Sequence, residues 1–229
     1  MGTLRVVSRS SLPFSDRLEA GRLLAREMIS FQDQNVVILG IPRGGIVPAF
    51  EMARILKGEL DVVLAHKLRT PGHPELAMGA VAEGGVSFVD PQIVRMLNVS
   101  VSQIEQEKAI QTKALDLRAA EVRKIRPKAV LKDRVVIITD DGVATGATTM
   151  TALRAVRLEG PSKLILALPV GPEDAVRALA DEADETVCLR IPKMFMAVGQ
   201  FYAEFDQVND ETMLTILKKG LTRTKDNEP

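Results

Sequence analysis

The chain has 229 residues, 46% of them hydrophobic, with 30 Lys and Arg balancing 30 Asp and Glu. That length suits one sizeable α/β domain over 1–229, and a composition close to the globular average argues against a disordered chain or a coiled coil. Neutrality removes any global pull toward nucleic acid or an anionic membrane, and 3% aromatic residues with no Trp give no platform for stacking single strands.

In chain order, Met1 to Pro13 lacks the apolar stretch of a signal peptide, and nowhere do eighteen apolar residues run together, so a cytoplasmic location is expected. Ser15 precedes, as its cap, an amphipathic helical pattern through Leu18, Leu23, Leu24 and Met28. Val36 to Leu39 is short, apolar and β-branched, ends at Gly40, and reads as a strand buried on both faces. Ile46 to Leu56 has helical spacing, and Leu60 to Ala65 reads as the second strand. This is the strand, helix, strand unit of a parallel sheet.

The pattern then breaks. His66 to Gly85 is rich in Gly and Pro, and a hairpin of Ala77 to Ala82 with Val86 to Val89 is expected to project as a loop rather than form core. Ser102 to Arg126 reads as one long, charge-dense helix with a solvated or dimer-forming face. Strands are expected at Arg134 to Thr139, Lys163 to Val170 and Glu185 to Leu189, with helices over Thr148 to Leu158 and Glu173 to Ala183 between them. The fold class is therefore α/β: a doubly wound, mostly parallel five-stranded sheet. Pro192 to Gln207 is irregular and aromatic, Asp210 to Lys219 reads as a last helix, and residues 220–229 as a frayed, charged tail. The single Cys188 lies in an apolar run and reads as a small buried hydrophobe.

Chemistry concentrates between Val135 and Thr149. The strand Val135 to Thr139 runs into Asp140 and Asp141, and adjacent carboxylates at a strand end are costly unless cations or hydrogen-bond donors meet them. Gly142, Val143, Ala144, Thr145, Gly146, Ala147, Thr148 and Thr149 follow, small and hydroxyl-bearing residues able to wrap backbone N–H groups around an anion at a helix N-terminus. Carboxylates followed by a phosphate cradle describe a site for a phosphorylated sugar at the C-terminal strand ends. Neither the P-loop, which needs Lys before Ser/Thr, nor G-x-G-x-x-G fits.

Val135 to Thr149 resembles the signature of the type I phosphoribosyltransferases, which bind 5-phosphoribosyl 1-pyrophosphate (PRPP). Pro42-Arg43-Gly44-Gly45 looks like that family's pyrophosphate loop, His66-Lys67-Leu68-Arg69 to Gly85 like its mobile loop, and Pro192 to Tyr202 sits where its small hood covers the acceptor. The resemblance runs over Asn35 to Phe205 and extends to a bacterial group sharing Pro-Arg-Gly-Gly, Gly-His-Pro-Glu-Leu-Ala-Met-Gly-Ala-Val-Ala-Glu-Gly and Asp-Asp-Gly-Val-Ala-Thr-Gly-Ala-Thr. It implies an enzyme transferring the phosphoribosyl group between PRPP and a nitrogenous base, with pyrophosphate as co-product, Mg2+ as cofactor, and a homodimer.

The resemblance also implies roles. Asp140 and Asp141 would hold the ribose hydroxyls and, through water or ligand oxygens, Mg2+. Within a substrate-binding run Gly142 to Thr149, the backbone of Ala144 to Thr148 and the hydroxyls of Thr145, Thr148 and Thr149 would hold the 5-phosphate; Arg43, Gly44 and Gly45 would hold the pyrophosphate, with Lys67 and Arg69 neutralising the departing group. Phe201 and Tyr202 would meet the acceptor, or with Phe195 form plain hood core. In family members using 6-oxopurines the position of Ala144 is an aspartate, so hypoxanthine or guanine is disfavoured here. Glu75, Glu83 or His73 could replace it as acid or base, although solvated roles suit them as well. His66 and His73 otherwise read as loop histidines without metal-ligand spacing. Two other readings stay open: a PRPP or nucleotide sensor on the same fold, and a phosphoryl-acceptor domain built on Asp140, which would leave the Thr-Gly loop unexplained.

Overall fold

The computed structural model describes residues 2–225, with the side chains of all but 74, 75 and 221–225. At its centre is a six-stranded, all-parallel sheet. Its strands are β1 (Thr3–Ser8), β2 (Val37–Gly40), β3 (Glu59–Val62), β7 (Val135–Thr139), β8 (Lys163–Val170) and β9 (Glu185–Arg190), in the spatial order β1-β9-β8-β7-β2-β3. The β-branched runs form these strands because helices cover both faces, so successive side chains all find apolar neighbours. Ile38, Ile137, Ile165 and Val187 point to the face packed by α1 (Arg17–Glu27), α2 (Ile46–Leu56) and α7 (Asp210–Lys225). Val37, Val136, Ile138, Leu166 and Cys188 point to the face packed by α5 (Ala147–Arg157) and α6 (Glu173–Ala180). Each fully buried aliphatic side chain contributes about 1.5–3 kcal/mol.

The strand order places the site. β2 and β7 are neighbours at the sheet's middle. The chain leaves β2 for α2 on one face and leaves β7 for α5 on the other. Their loops diverge and open a crevice at the carboxyl ends, the topological switch point of a doubly wound sheet.

Three expectations are corrected here. The sheet has six strands rather than five: Thr3–Ser8 adds to the edge beside β9, and its alternating exposed and half-buried pattern carries no apolar run to reveal it. Helix α1 is capped by Asp16, whose carboxylate accepts from the Glu19 amide, rather than by Ser15. The segment from His66 is not merely a loop. β4 (Ala65–Thr70), β5 (His73–Ala82) and β6 (Ser87–Val89) form a second, antiparallel sheet. Leu68, Met78, Val81 and Val99 make a core of its own, closed by α3 (Pro91–Met96). Alternation there is masked by Gly and Ala, which the backbone needs because a β-carbon on Gly79 would strike β6.

The long helix α4 (Val101–Arg123) carries a capping box at Ser100 and Gln103 and is tied to both sheets by ion pairs. Arg123 reaches Asp61 at 2.9 Å and Glu83 at 2.7 Å. Helix α7 continues through Lys225, beyond the expected Lys219, and the rest of the expected tail lies outside the described residues. Among the described residues no helix is long and apolar enough to cross a membrane.

Candidate active site

β7 ends at the fully buried Thr139 and delivers Asp140 and Asp141 into the crevice. Asp140 Oδ1 accepts from the Asp141 amide at 2.8 Å. Removal from water, and then the Asp141 charge beside it, push the Asp140 carboxyl well above the usual carboxylate range. Asp141 Oδ2 accepts from Arg17 Nε at 2.7 Å, an ion pair whose side chains are 10% and 16% exposed. Across the crevice lies the turn after β2, with Pro42–Arg43 in a cis peptide. A β-carbon on Gly44 would overlap Asp141 Oδ2, so only glycine lets this turn close onto the carboxylate.

After the acids the chain turns from β7 into α5. Val143 donates to Val170 O and anchors the turn to β8, leaving Ala144 and Thr145 exposed. Gly146 takes φ 75°, and a β-carbon there would sit 3.1 Å from Leu179, so the turn into the helix requires glycine twice over. Among the described residues, the N–H groups of Ala144, Thr145, Gly146, Thr148 and Thr149 donate to no backbone carbonyl, whereas Met150 already donates to Gly146 O. Ala147 N–H reaches Thr145 Oγ1 only at 3.5 Å. Open donors at a helix N-terminus, beside exposed Thr145 and Thr148, form a concavity whose chemistry suits an anion.

The antiparallel sheet roofs this concavity. A cavity of about 300 Å³ lies between His66, Lys67 and Arg69 of β4, Gln111 of α4, and Thr148 and Thr151 of α5. An adjoining space of about 190 Å³ is lined by Pro42, His66, Arg118 and Thr148 among others, so the trough reaches the Arg43-Gly44-Gly45 turn. Residues of β4 and α5 thus share one opening that reaches Pro42 at the start of the β2 turn, while Asp140 and Asp141 pack against the same turn at Gly45 and Gly44.

Residues 192–207, the stretch read as a hood, are irregular apart from one 3-10 turn at Val198–Phe201. Phe201 is corrected: at 1% exposure, stacked on Phe195 at 5.3 Å, it is core and offers no face to a ligand. Tyr202 is 5% exposed, and its hydroxyl donates to the Asp141 carbonyl at 2.6 Å. Burial, and then the Asp141 charge, push its phenol upward. Glu83 is also corrected as an acid or base, because both its oxygens accept from Arg123. His73 is exposed on β5 at the distal turn, and the Glu75 side chain lies outside the described residues. Cys188 is buried in the sheet, and burial pushes its thiol up to about 12.

Sequence reasoning missed Arg17. The first residue of α1 binds Asp141, donates to the Asp206 carbonyl at 2.8 Å, and lies 3.8 Å from the Phe205 ring centre. One guanidinium thus joins the N-terminal helix, the acidic turn and the hood. Its partner is 124 residues away, and no local spacing signals the pairing.

The donor set bears on a metal. Among the described residues no three His, Cys, Asp or Glu side chains converge on one point. Two carboxylates, one of them already paired with Arg17, do not make a resident metal cage. They do suit a hard cation that keeps waters and takes most of its oxygens from a phosphorylated ligand.

An acidic strand end, an amide cradle and a facing Gly-Gly turn meet at the switch point of this α/β fold, and comparison with known proteins gives its family. The phosphoribosyl transferase domain model matches residues 16–206, and the chain belongs to that family. It is 41% identical over 207 residues to the Mycobacterium tuberculosis protein named "Putative phosphoribosyl transferase Rv0571c", covering 90% of this chain. The chain spans about half the length of the curated relatives it matches, 47% in each case. The crystal structure of TT1426 from Thermus thermophilus superposes with a TM-score of 0.86 at 45% identity, over 91% of this chain and 99% of that one.

Proposed function

We propose that the protein transfers the phosphoribosyl group between PRPP and a nitrogenous acceptor, with Mg2+ and pyrophosphate, and that the acceptor is a base other than a 6-oxopurine. The observation that carries this reading is the closure of the Gly44 turn onto Asp141, one turn of chain before five open amides. Asp140 and Asp141 accept the ribose hydroxyls and face the positive charge that develops at the anomeric carbon. The amides and hydroxyls from Ala144 to Thr149 hold the 5-phosphate, and Arg43, Gly44 and Gly45 hold the pyrophosphate. Lys67 and Arg69, on the roof of the same trough, neutralise the leaving group. Magnesium, when bound with PRPP, offsets the charge of the diphosphate. Each well-placed electrostatic group is worth about 3 kcal/mol of barrier. The antiparallel roof keeps water from the cationic centre. Family resemblance is the ground for expecting a homodimer in the cytoplasm.

Ala144 supports the acceptor class: it is exposed at the cradle and carries only a methyl group where a base-handling carboxylate would stand. The test is pyrophosphate release from PRPP and Mg2+ against a panel of purines, pyrimidines and other nitrogenous bases. Release with an adenine-like, orotate-like or unrelated base is expected. Thermal protection by PRPP without release across the panel would indicate a sensor, and absence of both would overturn the assignment.

A further inference from the structure

His66 stands at the junction of the two spaces in the trough and lines both. Its Nδ1 lies 3.2 Å from Gln111 Oε1. The Gln111 amide cannot turn around, because its Nε2 donates at 2.9 Å to Glu107 Oε1, and a carboxylate can only accept. Glu107 Oε1 is fixed in turn by the Arg69 amide, which donates to it at 3.1 Å. Gln111 is 8% exposed, so this chain is sheltered from competing water. An acceptor facing Nδ1 means that Nδ1 carries hydrogen in both protonation states of the ring. Proton gain and loss are therefore confined to Nε2, which has no hydrogen-bond partner among the described residues.

The surroundings of that nitrogen favour an anion. β4 contributes Lys67 and Arg69, and α4 contributes Arg118, which also donates to Asp210 of α7 at 2.8 Å, with Glu107 held behind Gln111. α5 brings only the Thr148 and Thr151 hydroxyls, and β5 faces His66 with the apolar Val81. No carboxylate lines either cavity.

We propose that His66 is a further ligand-contacting residue of this site, oriented by Gln111 and Glu107, and that its Nε2 takes up a proton and donates it in a hydrogen bond to the diphosphate. This rests on reading the trough as the PRPP site and adds a contact and a proton linkage to it. The positioning role belongs to Gln111.

The probe is inorganic diphosphate with Mg2+, titrated calorimetrically into the full chain across about pH 5 to about pH 8 in buffers of different ionisation enthalpy. Binding by the wild type is expected to take up more protons than binding by His66→Asn, whose amide still donates to Gln111 but lacks Nε2. The variant's affinity is expected to fall on the order of tenfold, the scale of one charge-assisted hydrogen bond. The wild type supplies a test without substitution, since it has only two histidines and His73→Asn assigns their nitrogen resonances. The free protein is expected to show Nδ1–H with a bare Nε2, and diphosphate to convert His66 to the doubly protonated ring. Gln111→Leu is expected to mix the two neutral tautomers. If the wild type binds no diphosphate, the proposed function falls and this inference with it. If it binds but the His66 resonances and proton count do not respond, only the inference is overturned.

Discussion

Two aspartates at strand ends meet opposite fates. Asp61, on β3, is 2% exposed at its side chain and fully answered from within. Arg123 donates to both its oxygens at 2.9 and 3.1 Å, and the Ala129 and Val62 amides add 2.9 and 2.8 Å contacts. Asp140, two strands away across β2, accepts from one amide and sits beside a like charge. The first is a satisfied structural ion that locks α4 to the sheet. The second is left short of partners, which costs stability and leaves coordinating capacity for something that is not protein.

Breaking the satisfied acid should have the largest effect. Arg123→Ala strands Asp61 and Glu83 together and is expected to destabilise the fold by about 3–5 kcal/mol in urea melts, without changing ligand affinity in what remains folded. Asp141→Ala should spare the fold yet abolish Mg2+-dependent protection by PRPP in thermal melts and cost transfer about 3 kcal/mol of barrier. Gly44→Ala pushes a methyl group onto the Asp141 carboxylate held by Arg17 and is expected to cost about 1–3 kcal/mol, seen as weaker diphosphate binding by calorimetry.

The smallest effect concerns Asp140 itself. Its carboxyl is raised in the folded state, so its contribution to stability is full at low pH and lost as pH rises from the ordinary carboxylate range through the raised value. Asp140→Asn removes that loss. The variant should melt a few degrees higher than wild type at neutral pH and lose the advantage in acid. A melting difference independent of pH would contradict the unanswered state of this carboxylate.

What the sequence made legible follows from locality. β2, β7 and β8 are apolar on both faces, and the Asp140 to Thr149 turn packs its chemistry into consecutive residues. The phosphoribosyl family could therefore be read directly. β1 escaped because an edge strand needs no continuous apolar run, and the antiparallel sheet because Gly and Ala stand where larger residues would show alternation. Phe201 and Tyr202 were visible as aromatics, but only packing reveals that one is core and the other braces a backbone carbonyl. Arg17 and the His66, Gln111, Glu107 chain join segments far apart in sequence; Glu107 and Gln111 one helical turn apart were the only local hint.

The ion pairs of Arg123 also anchor the antiparallel ribbon. Glu83 is clamped at one end of β5, and the Arg69 amide is held by Glu107 near the far end of β4. The turn beyond Arg69 projects past these ties, with Gly72 at φ 76° in open space at its tip. Lys67 and Arg69 therefore sit on the tied part of the ribbon, beside the cradle, and not on the projecting turn.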